Sequence, residues 1–172
     1  MEIKTPRLCL RPADMSYLAT THAYASDLEN TKFMMFLPYA SLEETAQALR
    51  GAEEEWRKSE PARCEFVILK DGAQIGDIAL YFTADRSRAE LSWIIDKAFW
   101  RQGYASEAAG ALIDYARKQW GVRSVFACCD AENIGSRRVM EKLGMHCVDC
   151  GGRRKNRSSD EERTELIYEM TL

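Results

Sequence analysis

The segment from Ile95 to Ala108, Ile-Asp-Lys-Ala-Phe-Trp-Arg-Gln-Gly-Tyr-Ala-Ser-Glu-Ala, holds the residues whose types and spacing say most about chemistry. An apolar strand pattern ends at Ile95, a turn follows, and a helical pattern opens at Gly103. The first backbone N–H groups of a helix have no partner within it. Together with the positive end of the helix dipole they favour a phosphate or pyrophosphate. Gly103 lets a ligand approach the backbone without a Cβ in the way, Ala105 is the next-smallest choice, and Arg101 can add a charge-assisted contact from the rim. A glycine near a helix start is also ordinary punctuation, so the turn by itself does not name a ligand. It is not a Walker loop, because no Gly-Lys-Ser/Thr follows, and it lacks the glycine triplet of a dinucleotide-binding unit.

A second segment, Asn133-Ile-Gly-Ser136 running on to Glu141-Lys142-Leu-Gly144-Met, follows another strand pattern. Asn133 can cap a short helix or bond a ligand amide, and Ser136 lies near that helix's start. Elsewhere, Cys147-Val-Asp-Cys150 beside His146 supplies only one Cys-x-x-Cys pair, and His22 is distant. A structural zinc site needs four ligands at matched spacing, so no metal is expected. Cys128-Cys129 read as small strand residues, and Trp56, Trp93 and Trp120 as core or pocket walls. Tyr168 could by its chemistry give up a proton. The cluster Phe33-Met-Met-Phe36 lines a pocket or plugs the core.

These groups need elements to hold them. Ile3 to Leu10 alternates like a strand, and Asp14 caps a first helical stretch through Leu18 and His22. Ser41-Leu-Glu-Glu has the form of a capping box and opens a second helix through Trp56. Cys64–Leu69 and Gln74–Phe82 flank an Asp71-Gly72 hairpin turn, and Ala89–Ile95 is a third strand of a meander. A long amphipathic helix over Gly103–Trp120, a strand over Val122–Cys129 and a short helix over Gly135–Leu143, closed by Gly144, come next. Met145–Cys150 and Leu166–Leu172 are the last strands. The polar run Gly-Gly-Arg-Arg-Lys-Asn-Arg-Ser-Ser-Asp-Glu-Glu-Arg between them reads as a mobile hairpin loop. The order predicts an α+β fold in one domain over residues 1–172, with a mixed, mostly antiparallel central sheet and helices on both faces, a three-layer α/β/α arrangement.

The chain has 172 residues, 46% hydrophobic and 30% charged, with a net charge of −3, which suits a folded globular protein. Non-specific nucleic-acid binding needs a basic excess to displace counterions, and the basic run Arg153, Arg154, Lys155, Arg157 is offset by Asp160, Glu161 and Glu162. No nucleic-acid partner is expected. No stretch is long and apolar enough to span a bilayer and no signal core opens the chain, so a cytoplasmic setting with no membrane partner and six reduced cysteines is expected.

The two segments together resemble the GNAT N-acetyltransferases. Trp100-Arg-Gln-Gly-Tyr-Ala is similar to that family's motif Gln/Arg-x-x-Gly-x-Gly/Ala. Asn-x-x-Ser followed by Glu-Lys-Leu-Gly resembles the branch containing the ribosomal-protein alanine acetyltransferases, as do the opening Thr-Pro-Arg-Leu-x-Leu-Arg-Pro and Glu90-Leu-Ser-Trp-Ile. The likeness runs in order over essentially the whole chain. It implies acetyl-CoA as cosubstrate, with Gln102, Gly103, Tyr104, Ala105 and Ser106 presenting backbone N–H groups to the pyrophosphate. It further implies that Ile95 bonds the pantetheine arm and acetyl carbonyl through its backbone and that Asn133 contacts the same arm. Glu90 matches a glutamate that acts as base, commonly through water, and Ser136 a position proposed as the acid. Phe33–Phe36 would border the acceptor pocket. Two departures stand out: Trp100 occupies the first Gln/Arg position, and Arg101 stands where a glycine is frequent, so its side chain must turn away.

The implied reaction is direct attack of a primary amine, at a protein N-terminus or on a small molecule, on the thioester in a ternary complex, by a monomer or homodimer. The alternative is a catalytically inactive acyl-CoA-binding regulatory module. Fold does not choose among acceptors.

Overall fold

The computed structural model describes all 172 residues. β1 (Ile3–Lys4) and β2 (Cys9–Pro12) lead to α1 (Leu18–Ala25) and α2 (Leu42–Trp56), then to the meander β3 (Arg63–Lys70), β4 (Ala73–Phe82) and β5 (Arg88–Ile95). After it come α3 (Tyr104–Trp120), β6 (Ser124–Asp130), α4 (Ile134–Lys142), β7 (His146–Lys155) and β8 (Glu162–Thr171). The strands form one eight-stranded sheet in the order β1-β2-β3-β4-β5-β6-β8-β7. Every pairing is antiparallel except β5 with β6. The expected mixed, mostly antiparallel sheet between helical layers is what the chain forms.

The sequence of β3 shows why both faces are covered. Cys64, Phe66 and Ile68 join the main core with Ala108, Ala109, Leu112 and Ala116 of α3. Val67 and Leu69 pack on the opposite face against Leu49 and Ala52 of α2. A strand buried on both sides reads as a continuous apolar run rather than an alternating one. Three alanines on the inner face of α3 keep that helix close to the sheet without breaking its propensity. At the start of α2, Ser41 Oγ accepts the Glu44 N–H at 3.2 Å, while Glu44 reaches one residue further back than a capping box requires, to the Ala40 N–H at 2.7 Å.

The hairpin β4–β5 is crossed closely at Gly76. A Cβ there would lie 2.1 Å from the Ile94 carbonyl oxygen, a clash with backbone that no rotamer relieves. We expect Gly76→Ala to lower stability by about 3 kcal/mol, the upper range for overpacking, which for a chain of this length is a fall in Tm of roughly 6–12 °C. Thermal melts of the two proteins check it.

Three sequence expectations need correction. The first strand is two short strands joined by a turn over Thr5–Leu8, in which Thr5 Oγ1 accepts the Leu8 N–H at 2.8 Å. The polar run after Cys150 is not a mobile loop: β7 and β8 continue through it in register, Arg154 opposite Arg163 and Lys155 opposite Glu162, leaving only residues 156–161 as the connection. Its inward-facing members are fixed by Asp130, which is buried and accepts Asn156 Nδ2 at 2.7 Å and Arg163 Nε at 3.0 Å. Burial alone raises the pKa of Asp130, but Arg163, the Glu132 N–H and Asn156 together hold it below the usual carboxylate value. Finally, Cys147 and Cys150 are joined as a disulfide, and only Cys9, Cys64, Cys128 and Cys129 are free.

Candidate active site

The parallel pair β5–β6 is short. It is registered at Arg88 with Ser124, Ala89 with Val125 and Glu90 with Phe126, and the strands then part although β5 runs on to Ile95 and β6 to Asp130. The Asp96 N–H donates to the Ile75 carbonyl at 2.8 Å, which sets the phase of the β4–β5 ladder. Even-numbered residues of β5 bond β4, so the N–H and C=O groups of Trp93 and Ile95 point to the side from which β6 has withdrawn. The Ile95 carbonyl accepts Trp100 Nε1 at 2.7 Å, which leaves the Ile95 N–H as the half of that peptide edge aimed into the gap. Trp100 thereby ties the end of β5 to the turn before α3.

That turn ends at Gly103, the N-cap of α3, with φ +81° and no side-chain cap. The first bond back into the helix is Glu107 N–H to the Gly103 carbonyl at 3.1 Å. The N–H groups of Gln102, Gly103, Tyr104, Ala105 and Ser106 donate to no protein acceptor. Arg101 also lies in the left-handed region, at φ +62°. This explains why glycine suits its position, and an ordinary side chain there costs about 1–2 kcal/mol.

Two cations flank the bare amides. A Cβ on Gly103 would sit 3.6 Å from Arg7 Nη2 and 3.7 Å from Lys142 Nζ. Arg7 is held in place by Glu107 at 2.6 Å and by the Gln102 carbonyl at 3.1 Å, with its guanidinium 4.6 Å from the centre of the Tyr104 ring. Burial works to raise the pKa of Glu107, but hydrogen bonds from Thr5 and Arg7 hold it below the ordinary value. The first turn of α3 therefore keeps an anion that anchors Arg7. Lys142 makes no ion pair and is free for another. Exposed amides, a helix dipole and two cations are features that favour a phosphate-bearing ligand, and Gly103 has no Cβ to obstruct one.

Deeper in the gap is a narrow cleft of about 50 Å³, with Leu91, Ser92 and Trp93 on one wall, Cys128 and Cys129 on another, and Phe33, Met34 and Arg154 across the mouth. Asn133 and Ser136 also line it. The Asn133 Oδ1 accepts the Ser136 N–H at 3.1 Å, so its carbonyl oxygen is spent on capping α4 and its amide NH₂ remains for a ligand. Glu90 sits at the apex of the gap, on the sheet face shared by Ser92. Burial raises its pKa above the ordinary carboxylate value, Glu165 adds to the rise and Arg154 opposes it. Burial pushes the Cys128 thiol up to about 12 and Cys129 to about 11, so neither supplies a thiolate nucleophile near neutral pH. Tyr168 is buried in the core, its hydroxyl 3.4 Å from Glu141, and is not part of the cleft lining.

Of the sequence-derived residues, Asn133 and Ser136 line the cleft, Glu90 adjoins its Leu91 wall without lining it, and Ile95 and the turn from Gln102 to Ser106 lie beyond the other end of that wall. Arg7, Lys142, Arg154 and Glu165 are additions. Lys142 and Arg7 lie within quoted motifs but gave no signal of their own, and Arg154 and Glu165 become neighbours of the cleft only through the β7–β8 pairing. A larger surface depression of about 340 Å³ lies elsewhere, against β1 and β2. It has charged walls and shares only Arg7 with the turn.

Comparison with known proteins bears on the family and the fold. Residues 7–146 match the model of the acetyltransferase (GNAT) domain family. The uncharacterized N-acetyltransferase YnaD of Bacillus subtilis is 33% identical over 147 residues, 84% of this chain and 82% of that protein. In fold, the chain superposes with a TM-score of 0.88 on the ribosomal L7/L12 alpha-N-protein acetyltransferase RimL in complex with coenzyme A, at 19% identity over 100% of this chain and 98% of that one. The spermidine N-acetyltransferase of Vibrio cholerae, in complex with CoA and spermine, gives 0.83 at 16% identity, covering 97% and 96%. With a strand pair that parts over a bare, cation-flanked helix N-terminus and a family match over most of its length, this chain belongs to the GNAT acetyltransferases, acyltransferases that use acetyl-CoA.

Proposed function

We propose that the chain moves an acetyl group from acetyl-CoA to a primary amine by direct attack in a ternary complex, with no acyl-enzyme stage. The observation that carries this is the gap between β5 and β6, which runs from the half-buried Glu90 to the unpaired amides at Gly103. The N–H groups of Gln102 to Ser106 hold the pyrophosphate, Arg7 and Lys142 balance its charge, and the amide NH₂ of Asn133 and the backbone edge of Ile95 hold the pantetheine arm. Glu90 takes the proton of the incoming ammonium, through a water where the distance requires one. Its raised proton affinity brings it nearer to the task than an exposed carboxylate would be. The Ile95 N–H is the donor best placed for the charge that develops on the acetyl oxygen. Ser136 donates a hydrogen bond to the departing thiolate rather than a full proton, since a serine hydroxyl is a poor acid, and the thiolate takes up the second proton shed by the attacking nitrogen.

Much of the acceleration comes from holding thioester and amine together. RimL acts on ribosomal L7/L12 and the Vibrio cholerae protein on spermidine. We include both a peptide N-terminus and a small polyamine among acceptors for this chain, as monomer or homodimer. A cytoplasmic setting belongs to the same proposal: four cysteines are free, while the Cys147–Cys150 disulfide points the other way. Thiol release from acetyl-CoA, followed across a panel of peptides with free N-termini, polyamines and amino acids, tests the assignment. We expect saturable turnover with at least one acceptor class. Binding of acetyl-CoA with no turnover on the whole panel would instead favour an acyl-CoA-binding module.

A further inference from the structure

The β7–β8 hairpin, so polar in sequence, is fastened to the apolar segment Phe33–Phe36 at the mouth of the cleft. Arg154 Nη2 donates to the Phe33 carbonyl at 3.0 Å, the Arg157 N–H to the Met34 carbonyl at 2.9 Å, and Arg157 Nη1 to the Phe36 carbonyl at 3.0 Å. Arg157 also pairs with Glu44 of α2 at 2.7 Å. Of these groups only Arg154 is buried, its side chain 6% exposed. Two further donors are used beside the cleft: Nη1 on Glu165 at 3.3 Å and Nε on Asn156 at 3.1 Å, and Asn156 in turn rests on Asp130. One guanidinium therefore joins the acceptor-side loop, the end of β7 and the carboxylate of β8. A planar group with donors in a rigid fork suits that task, and a lysine cannot reproduce it.

Arg154 also carries a positive charge that acts on Glu90. The titratable groups whose charge bears on Glu90 or is influenced by it are Glu165 from β8, Arg154 from β7, the Cys128 thiol from β6 and the Tyr81 hydroxyl of its β4 register partner. Its strand neighbour Arg88 is turned to Glu169 at 3.0 Å. Among them Arg154 is the one cation that acts on Glu90, and Glu165 the one carboxylate.

Resting on the acetyl-transfer assignment made above, we propose that Arg154 is the positioning residue of the acceptor side, holding Phe33–Phe36 over the cleft so that the amine is seated beside Glu90. Its hydrogen bonds go to Phe33, Asn156 and Glu165 and to none of the residues from Gln102 to Ser106, so although it lines the cleft with Asn133 and Ser136 its loss weighs more on the amine than on coenzyme A.

The test is steady-state kinetics of Arg154→Gln, Arg154→Lys and Glu165→Gln over a pH series, with calorimetry of coenzyme A binding to each folded variant. We expect Arg154→Gln to raise the KM for the amine by about tenfold or more, since misplacement of a positioning segment by an ångström has effects of that order. The Kd for coenzyme A should stay within about twofold, the scale of no lost contact. Removing the cation should move the acidic limb of kcat/KM to higher pH, and Glu165→Gln should move it to lower pH. Arg154→Lys keeps the charge but not the fork, so it should restore the limb while leaving the amine KM high. A Glu165→Gln limb that rises, or an Arg154→Gln variant with unchanged amine KM and unchanged limb, would overturn the role of Arg154 while leaving acetyl transfer intact. An unmodified protein without turnover on any amine would overturn the transfer assignment itself, and the proposal with it.

Discussion

Gly103→Glu should abolish measurable binding of acetyl-CoA, with affinity lower by at least about 100-fold, or roughly 2.7 kcal/mol. Two effects add. The residue sits at φ +81°, where an L side chain costs about 1–2 kcal/mol, and the new carboxylate would lie between Arg7 and Lys142, in the place of the phosphate charge. A bare Cβ meets nothing closer than 3.6 Å, so Gly103→Ala should show only the backbone effect, a loss of about tenfold. Calorimetry of the three proteins at low and high salt separates the contributions, because only the Coulombic part is screened. Equal affinities for the glycine and glutamate proteins would sink the assignment of this turn to the pyrophosphate.

The second large effect is expected at Glu90. Glu90→Gln keeps the shape and removes the base, and kcat should fall by about 100- to 1,000-fold, within the span of general-base contributions. Acetyl-CoA binding should be unchanged, because Glu90 lies at the apex of the gap and away from Gly103. The pH dependence carries the sign. A carboxylate whose pKa is raised by burial and by Glu165 is active only when deprotonated, so the rate should climb with pH through a limb above the ordinary carboxylate range and level off beyond it. In the glutamine variant that limb should vanish. A variant retaining both rate and limb would assign proton removal to another group.

How much of this could be read beforehand differs from element to element. The helix α2 announced itself by Ser41 and its spacing, and α3 by Gly103 and an alanine-rich inner face, because both signals are local. The cap role of Asn133 was equally visible, and one bond to the Ser136 N–H settles which of its two polar atoms is left over. The run after Cys150 misled, because charged residues usually face solvent. Here Asn156 and Arg163 turn inward to Asp130, a buried carboxylate that lies over 20 residues earlier in the chain. The separation of β1 from β2 is a related case: the turn over Thr5–Leu8 is closed by a threonine hydroxyl, and in the sequence only the change of parity from Ile3 to Leu8 and Leu10 marks the break.

The amino-acid sequence by itself determined the order of elements, the glycine at the helix start and the family to which the chain belongs, since each depends on residues near one another or on a pattern shared with relatives. Only the tertiary structure decided where β5 and β6 part, which cations stand beside Gly103, and that Arg154 bridges Phe33 and Glu165. Those relations join residues more than a hundred positions apart in the case of Arg154 and Phe33. They exist because strand register, set by burial on both faces of the sheet, brings the two ends of the chain to one cleft.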